Sequence, residues 1–178
     1  MSITFLNFTC DKCSFKGDSL VTFGGFYWSD KEKTFQIDQQ LGLCSDCDGI
    51  VAMEKLPDSY TMKRARGIRK DYTGQPLFQL IEKDYAKYLA SQEGFAVLDR
   101  VIALKRRPVC LKCGGNKVQA IELPSNASGS IPIKIGIKHT GCSGNLKVHG
   151  SGGFRLGMNP KKYIYDIYGG LHSTVEDD

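Results

Sequence analysis

Seven cysteines carry the chemistry that this sequence offers, at Cys10 and Cys13, Cys44 and Cys47, Cys110 and Cys113, and then Cys142. An odd count does not suit a closed disulfide framework, and CxxC spacing suits a metal. Two residues between cysteines let both sulfurs of one tight turn face one ion, and two such turns complete a tetrahedral site. Cys10-Asp11-Lys12-Cys13 and Cys44-Ser45-Asp46-Cys47 bracket 30 residues rich in strand formers, so these four thiolates are expected to share one ion. Zinc is the expected metal; iron would accept the same ligands. Four protein ligands leave no open position for a water or a substrate, so this zinc is expected to fold the chain and not to react.

Cys110-Leu111-Lys112-Cys113-Gly114-Gly115 is a second such turn, and the glycines let it close over its sulfurs. Cys142 has no cysteine three residues away, but His139 stands at that distance. An imidazole at i with a thiolate at i+3 reproduces the turn with one nitrogen ligand. The second zinc is therefore expected on Cys110, Cys113, His139 and Cys142, giving two Zn2+ per chain. His149 is the rival fourth ligand, seven residues past Cys142 and reachable only by a fold-back. Three thiolates completed by water are the other alternative, and would leave an open position. His172 reads as a surface residue.

Cys110 to Gly115 and His139-Thr140-Gly141-Cys142-Ser143-Gly144 resemble the paired knuckles of the zinc-ribbon superfamily, with His139 replacing one cysteine. The Cys10 and Cys44 turns are similar, although Ser14 and Asp48 stand where members often carry glycine. The resemblance covers residues 1–57 and about 109–150. It implies small antiparallel β units and structural zinc. Its members serve in transcription, RNA handling, ribosome binding and protein contacts, so it implies a fold more firmly than a function.

Strands are expected at Thr4–Phe8, Leu20–Trp28, Thr34–Ile37 and Gly49–Met53, then at Val118–Leu123, Ile131–Ile137, Asn145–Val148 and Tyr163–Tyr168. Between them Ser59–Lys70 reads as a polar helix. Pro76 suits a first helical turn, and Phe78, Ile81, Tyr85 and Leu89 follow at helical spacing. Gly94 interrupts, and Phe95, Leu98, Val101 and Ile102 continue the apolar face, as one kinked helix or two shorter ones. The expected class is α+β: two small antiparallel β zinc ribbons joined by a helical middle. The expected divisions are an N-terminal four-cysteine ribbon at 1–57, a helical spacer at 58–108 and a C-terminal ribbon with three cysteines and one histidine at 109–178. Residues 125–130 and 150–153 read as loops that could flex onto a partner, and Glu176 to Asp178 as a disordered tail.

Charge divides the chain similarly. Residues 1–57 hold five Lys/Arg against eight Asp/Glu, 58–109 hold eleven against six, and 110–178 hold eight against five. The total is +5, and thiolates bound to zinc bring the loaded protein nearer about +2. Lys63, Arg64, Arg66, Arg69 and Lys70 crowd one helical stretch, and Lys105-Arg106-Arg107 leads into the second ribbon. Such clusters suit DNA or RNA backbone. Lys112, Lys117, Lys134, Lys138 and Lys147 add to them, and Tyr27, Trp28 and Tyr163 are candidates for stacking on unpaired bases. The competing reading is a protein-interaction adaptor, with the spacer's apolar residues covered by the ribbons, a protein partner or a second copy of the chain. An enzyme ranks third, because no GxSxG, Walker A, GxGxxG or HExxH pattern occurs. A carboxylate centre among Asp71, Glu82, Asp84 and Asp99 would be its form; surface pairing with lysines is the simpler account. No apolar run approaches the ~20 residues of a membrane span and no basic leader opens the chain, so a reducing cytoplasm is the expected compartment.

Overall fold

A computed structural model describes residues 2–3, 5–31, 33–71, 84–151, 154–155 and 161–175. Among them are thirteen strands and three short helices, so the chain is mostly β. The strands are β1 (Ser2–Ile3), β2 (Leu6–Cys10), β3 (Lys16–Asp18), β4 (Gly25–Asp30), β5 (Lys33–Gln36), β6 (Gln39–Cys44) and β7 (Gly49–Glu54). After the helices come β8 (Val118–Ala120), β9 (Ile133–Lys138), β10 (Asn145–Gly150), β11 (Phe154–Arg155), β12 (Lys162–Asp166) and β13 (Leu171–Val175). The helices are α1 (Ser59–Asp71), α2 (Tyr85–Ser91) and α3 (Phe95–Ala103).

The expected architecture of two ribbons joined by a helical segment is corrected by the pairing. Sheet orders are β3-β2-β10-β9, β13-β12-β4-β5, β7-β6-β8 and the two-stranded β1-β11. Each sheet thus joins strands from before the helices to strands from after them. Phe8 lies opposite Val148, Leu43 opposite Gln119, and Trp28 opposite Tyr165 in a parallel pair. Alternation marks which residues form a strand and which face is apolar, but it does not mark the partner. Separation along the chain decides little: loop closure rises with the logarithm of length, about 0.6 kcal/mol per doubling.

One apolar core lies between the β4, β5 and β12 faces and the helices. It contains Phe26, Trp28, Phe35 and Tyr165 from strands, with Met62, Leu89, Phe95, Leu98 and Val101 from the helices. Trp28, 1% exposed, is therefore unavailable to stack on a base. Gly94 separates α2 from α3, and a Cβ there would stand 2.0 Å from the Thr34 carbonyl oxygen, so only glycine lets the helices approach β5. Asp84 caps α2, accepting from the Ala86 amide at 3.2 Å. Pro76, Phe78, Ile81 and Glu82 lie outside the described residues. A second core packs Phe8, Leu41, Leu43, Ile50, Ile137, Leu146 and Val148 between the β3-β2-β10-β9 and β7-β6-β8 sheets. Among the described residues no helix is long and apolar enough to cross a membrane.

Candidate metal centres

The eight expected ligands gather into two groups, but not the expected two. Cys10, Cys13, His139 and Cys142 form one, and Cys44, Cys47, Cys110 and Cys113 the other. The first and last turns share a site and the two middle turns share another, so the closures are nested. The grouping of Cys10 and Cys13 with Cys44 and Cys47, and of Cys110 and Cys113 with His139 and Cys142, is thereby corrected. Sheet pairing is the reason. Cys10 ends β2, beside β10, which starts three residues after Cys142, and the Asp11 amide donates to the Asn145 carbonyl at 3.1 Å. Cys44 ends β6, beside β8, and Cys110 bridges to Met53 of β7.

Three of the turns have one construction. The Gly114 amide donates to the Cys110 carbonyl at 2.8 Å, and the Cys110 amide to the Gly115 carbonyl at 2.9 Å. In the same way, Ser143 donates to His139 at 2.8 Å and His139 to Gly144 at 2.8 Å. Cys44 lies opposite Gly49 where β6 turns into β7. The residue after the second ligand is left-handed in each: Gly114 at φ +73, Ser143 at +54 and Asp48 at +45. His139 occupies the place a cysteine takes in the other two, which explains its selection over His149, which lies on β10 opposite Asn7.

Donor chemistry in both groups suits a divalent metal such as zinc, and the all-cysteine group also has the spacing for it; the histidine-containing group is tighter. A tetrahedral ion with Zn–S bonds of ~2.3 Å sets its sulfurs ~3.8 Å apart. Cys44 to Cys113 and Cys47 to Cys110 are both 3.8 Å. In the first group Cys142 lies 3.3 Å from both Cys10 and Cys13, and His139 Nδ1 is 3.4 Å from the sulfurs of Cys13 and Cys142. All four donor atoms in each group lie within 4.8 Å of one another. Gly144 lets the first site close, because a Cβ there would come within 2.4 Å of Cys10 Sγ.

The two environments differ. Each group has one exposed cysteine, Cys13 and Cys113, but two ligands of the all-cysteine group, Cys44 and Cys110, are fully buried, whereas in the other group only His139 is buried and Cys10 and Cys142 are half-buried. Burial pushes the Cys110 thiol up to about 11 and raises Cys47 as well, helped by neighbouring sulfurs. Burial opposes ionisation of Cys113 too, but the Gly115 amide and the other thiols bring it below its usual value. Four thiols so close cannot all ionise unaided; a divalent cation relieves that repulsion.

His139 is buried, with Phe15 against its ring at 4.3 Å between centroids. Its Nε2 lies 2.9 Å from Asp48 Oδ1, and Thr140 donates to the same oxygen at 3.4 Å. Nε2–H donating to Asp48 leaves the Nδ1 lone pair facing the sulfurs, the arrangement metal-bound histidines use. Spacing alone does not reveal Asp48. The one signal in the sequence is a non-glycine residue at the position after a knuckle.

Half of the basic residues expected to contact phosphate have partners within the protein. Arg64 pairs with Asp84, Arg66 with Asp99 at 2.6 Å, and Arg69 donates to the Ala90 and Gln92 carbonyls while lying over the Phe95 ring. These contacts bind α1 to α2 and α3, and they occupy Asp84 and Asp99 as well. Arg106 forks onto buried Glu54, at 2.7 Å from Nη2 to Oε1, and also donates to the Ile167 carbonyl. Lys63, Lys70, Lys105 and Arg107 are exposed. A different cationic surface lies on the outer face of β3-β2-β10-β9. Lys134 stands directly opposite Lys147, Lys147 opposite Thr9, and Thr9 opposite Lys16. Lys138, opposite Asn145, joins the same face.

No protein-family model, curated protein or solved structure matches the chain.

Proposed function

We propose that this is a non-enzymatic zinc protein whose two ions fasten its nested sheets and whose cationic β face binds the nucleic-acid backbone. The zinc part draws on the two complete donor sets, each with four protein ligands and no open position for a reacting water. One observation carries the binding part: Lys16, Lys134, Lys138 and Lys147 share the outer face of β3-β2-β10-β9. Like charges directly opposite on a sheet are destabilising, and against Lys134 and Lys147 the protein sets one carboxylate, Asp11, which interacts with both. A polyanion lying across the strands would balance the charge that this one carboxylate leaves over. Strands ~4.8 Å apart spread this row over about 14 Å, enough for several phosphates. Lys63, Lys70, Lys105 and Arg107 are the members of the expected set left exposed to extend the contact.

The second reading is a protein-interaction adaptor, supported by an apolar cleft of about 420 Å³ beside the Cys110 turn. Leu20, Val21, Phe23, Tyr163 and Leu171 line it, with Lys112 at the knuckle. Homodimerisation through the helical segment has less support, because Leu89 and Leu98 are buried within the chain.

Binding of zinc-loaded protein to labelled single- and double-stranded DNA and RNA, measured across a salt series, tests the reading. Four lysine contacts predict a slope of log K on log salt of about −3 to −4. The double variant Lys134→Glu with Lys147→Glu should abolish binding while both zinc ions remain. Absence of binding at low salt, or full binding by the double variant, overturns the proposal and leaves the adaptor.

A further inference from the structure

We propose that Asp48 couples the two metal centres, so that filling the all-cysteine site raises the affinity of the histidine-containing site, and the reverse. The inference rests on metal occupying both groups of ligands.

Asp48 belongs to both centres at once. It follows Cys47, a ligand of the all-cysteine site, in the chain, and its carboxylate receives the Nε2 proton of His139, a ligand of the other, at 2.9 Å. Thr140, the neighbour of that histidine, donates to the same oxygen. A metal on Cys44 and Cys47 fixes the turn whose next residue is Asp48, and so fixes the carboxylate against the imidazole. The oriented, more basic imidazole then presents Nδ1 to the ion of its own site. Without metal on the cysteines the turn is free to sample other conformations, and that hydrogen bond is kept only part of the time. Linkage makes the effect reciprocal: the ion on His139 holds the imidazole, which holds Asp48 and the Cys47 turn.

The side chain, not the backbone, sets Asp48 apart. Asp48 sits in the left-handed region at φ +45, which glycine adopts freely and aspartate tolerates. The equivalent places are Gly114 in the Cys110 turn, at φ +73, and Ser143 in the His139 turn, at +54. Neither of those residues carries a carboxylate; Asp48 does, and it meets His139 Nε2. Although its side chain is 61% exposed, it is directed at a histidine side chain that is only 5% exposed. Asp48 is a positioning residue: its atoms touch the ligand and not the ion.

Asp48→Gly separates this role from a structural one, because it relieves the backbone while removing the carboxylate. Cobalt(II) titration of metal-free chain reports each centre, since four-sulfur coordination and coordination by three sulfurs and a nitrogen give distinct visible bands. In the native chain the two sets of bands should grow together. In Asp48→Gly the four-sulfur bands should saturate first, with affinity at the histidine-containing site lowered about 10- to 100-fold, and thermal stability at saturating cobalt should not fall. Asp48→Asn, whose Oδ1 accepts the same bond, should recover most of the loss. A thermodynamic cycle with Cys113→Ser, which damages the all-cysteine site at an exposed position, closes the test. Cys113→Ser should weaken the histidine-containing site in the native background and not in Asp48→Gly. Additive losses in that cycle, or an unchanged affinity of the histidine-containing site in Asp48→Gly, overturn the coupling and leave both sites standing. Absence of cobalt bands in the native chain overturns the metal assignment instead.

Discussion

Replacing Arg106 with Met should cost the zinc-loaded protein about 3–5 kcal/mol, because it strands a carboxylate that has no access to water. Glu54 is 0% exposed and its carboxylate accepts four hydrogen bonds: two from Arg106, one from Trp28 Nε1 at 2.8 Å and one from the Val109 amide at 3.0 Å. Methionine fills the space of the arginine stem, so little packing is lost. Trp28 and Val109 still donate, but nothing then balances the charge. At about 2–4 °C per kcal/mol for a chain of this size, the melting temperature should fall by roughly 6–20 °C. Urea unfolding followed by fluorescence of Trp28, the single tryptophan, reads the change at the site itself. Glu54→Gln in the Arg106→Met background should recover part of the loss, since the stranded charge is gone. A loss below ~1 kcal/mol, the size of an exposed ion pair, would refute the reasoning and return Arg106 to the surface set.

Other outcomes follow from the two centres. Each site has one exposed cysteine, but the histidine-containing site has no fully buried thiol, so it should surrender its metal to a chelator before the all-cysteine site, whose Cys44 and Cys110 are buried; alkylation mapped by mass spectrometry should mark Cys13 and Cys113 ahead of Cys44. Gly144→Ala should weaken that same histidine-containing site selectively, since the new Cβ would displace Cys10 Sγ, and zinc stoichiometry after dialysis measures it. Acid should release zinc. The metal-free state holds protons on thiols such as Cys110, raised to about 11, and the loaded state holds none there, so affinity rises with pH throughout the range of about 6–9. A pH-independent zinc affinity over that range would contradict the thiolate assignment.

The sequence makes the ligands legible and hides their partners. A CxxC turn is a local object, closed around Cys110 and His139 by hydrogen bonds within six residues, so the spacing at each of Cys10, Cys44, Cys110 and His139 announces a knuckle. Which knuckle meets which depends on β2 finding β10 and β6 finding β8, across more than seventy residues in each case. Alternation around Phe8 or Leu146 assigns a face and no address. The α1 arginines show the same limit. Arg64 and Arg66 read as a cationic patch because Asp84 and Asp99, which pair with them, lie 20 and 33 residues away. Lys134 and Lys147 are plain in the sequence, yet only strand register places them opposite each other. Trp28 has the chemistry of a stacking surface, but β4 turns it into the core against the helices.

The most direct test of the nested arrangement is proton–cadmium correlation on chain loaded with 113Cd. Each bound cadmium couples to the β protons of its own cysteines, so the spectrum assigns ligands to each ion. One cadmium should correlate with Cys10, Cys13 and Cys142 and the other with Cys44, Cys47, Cys110 and Cys113. Cys10 and Cys44 correlating with one cadmium would contradict it and restore two sequential ribbons.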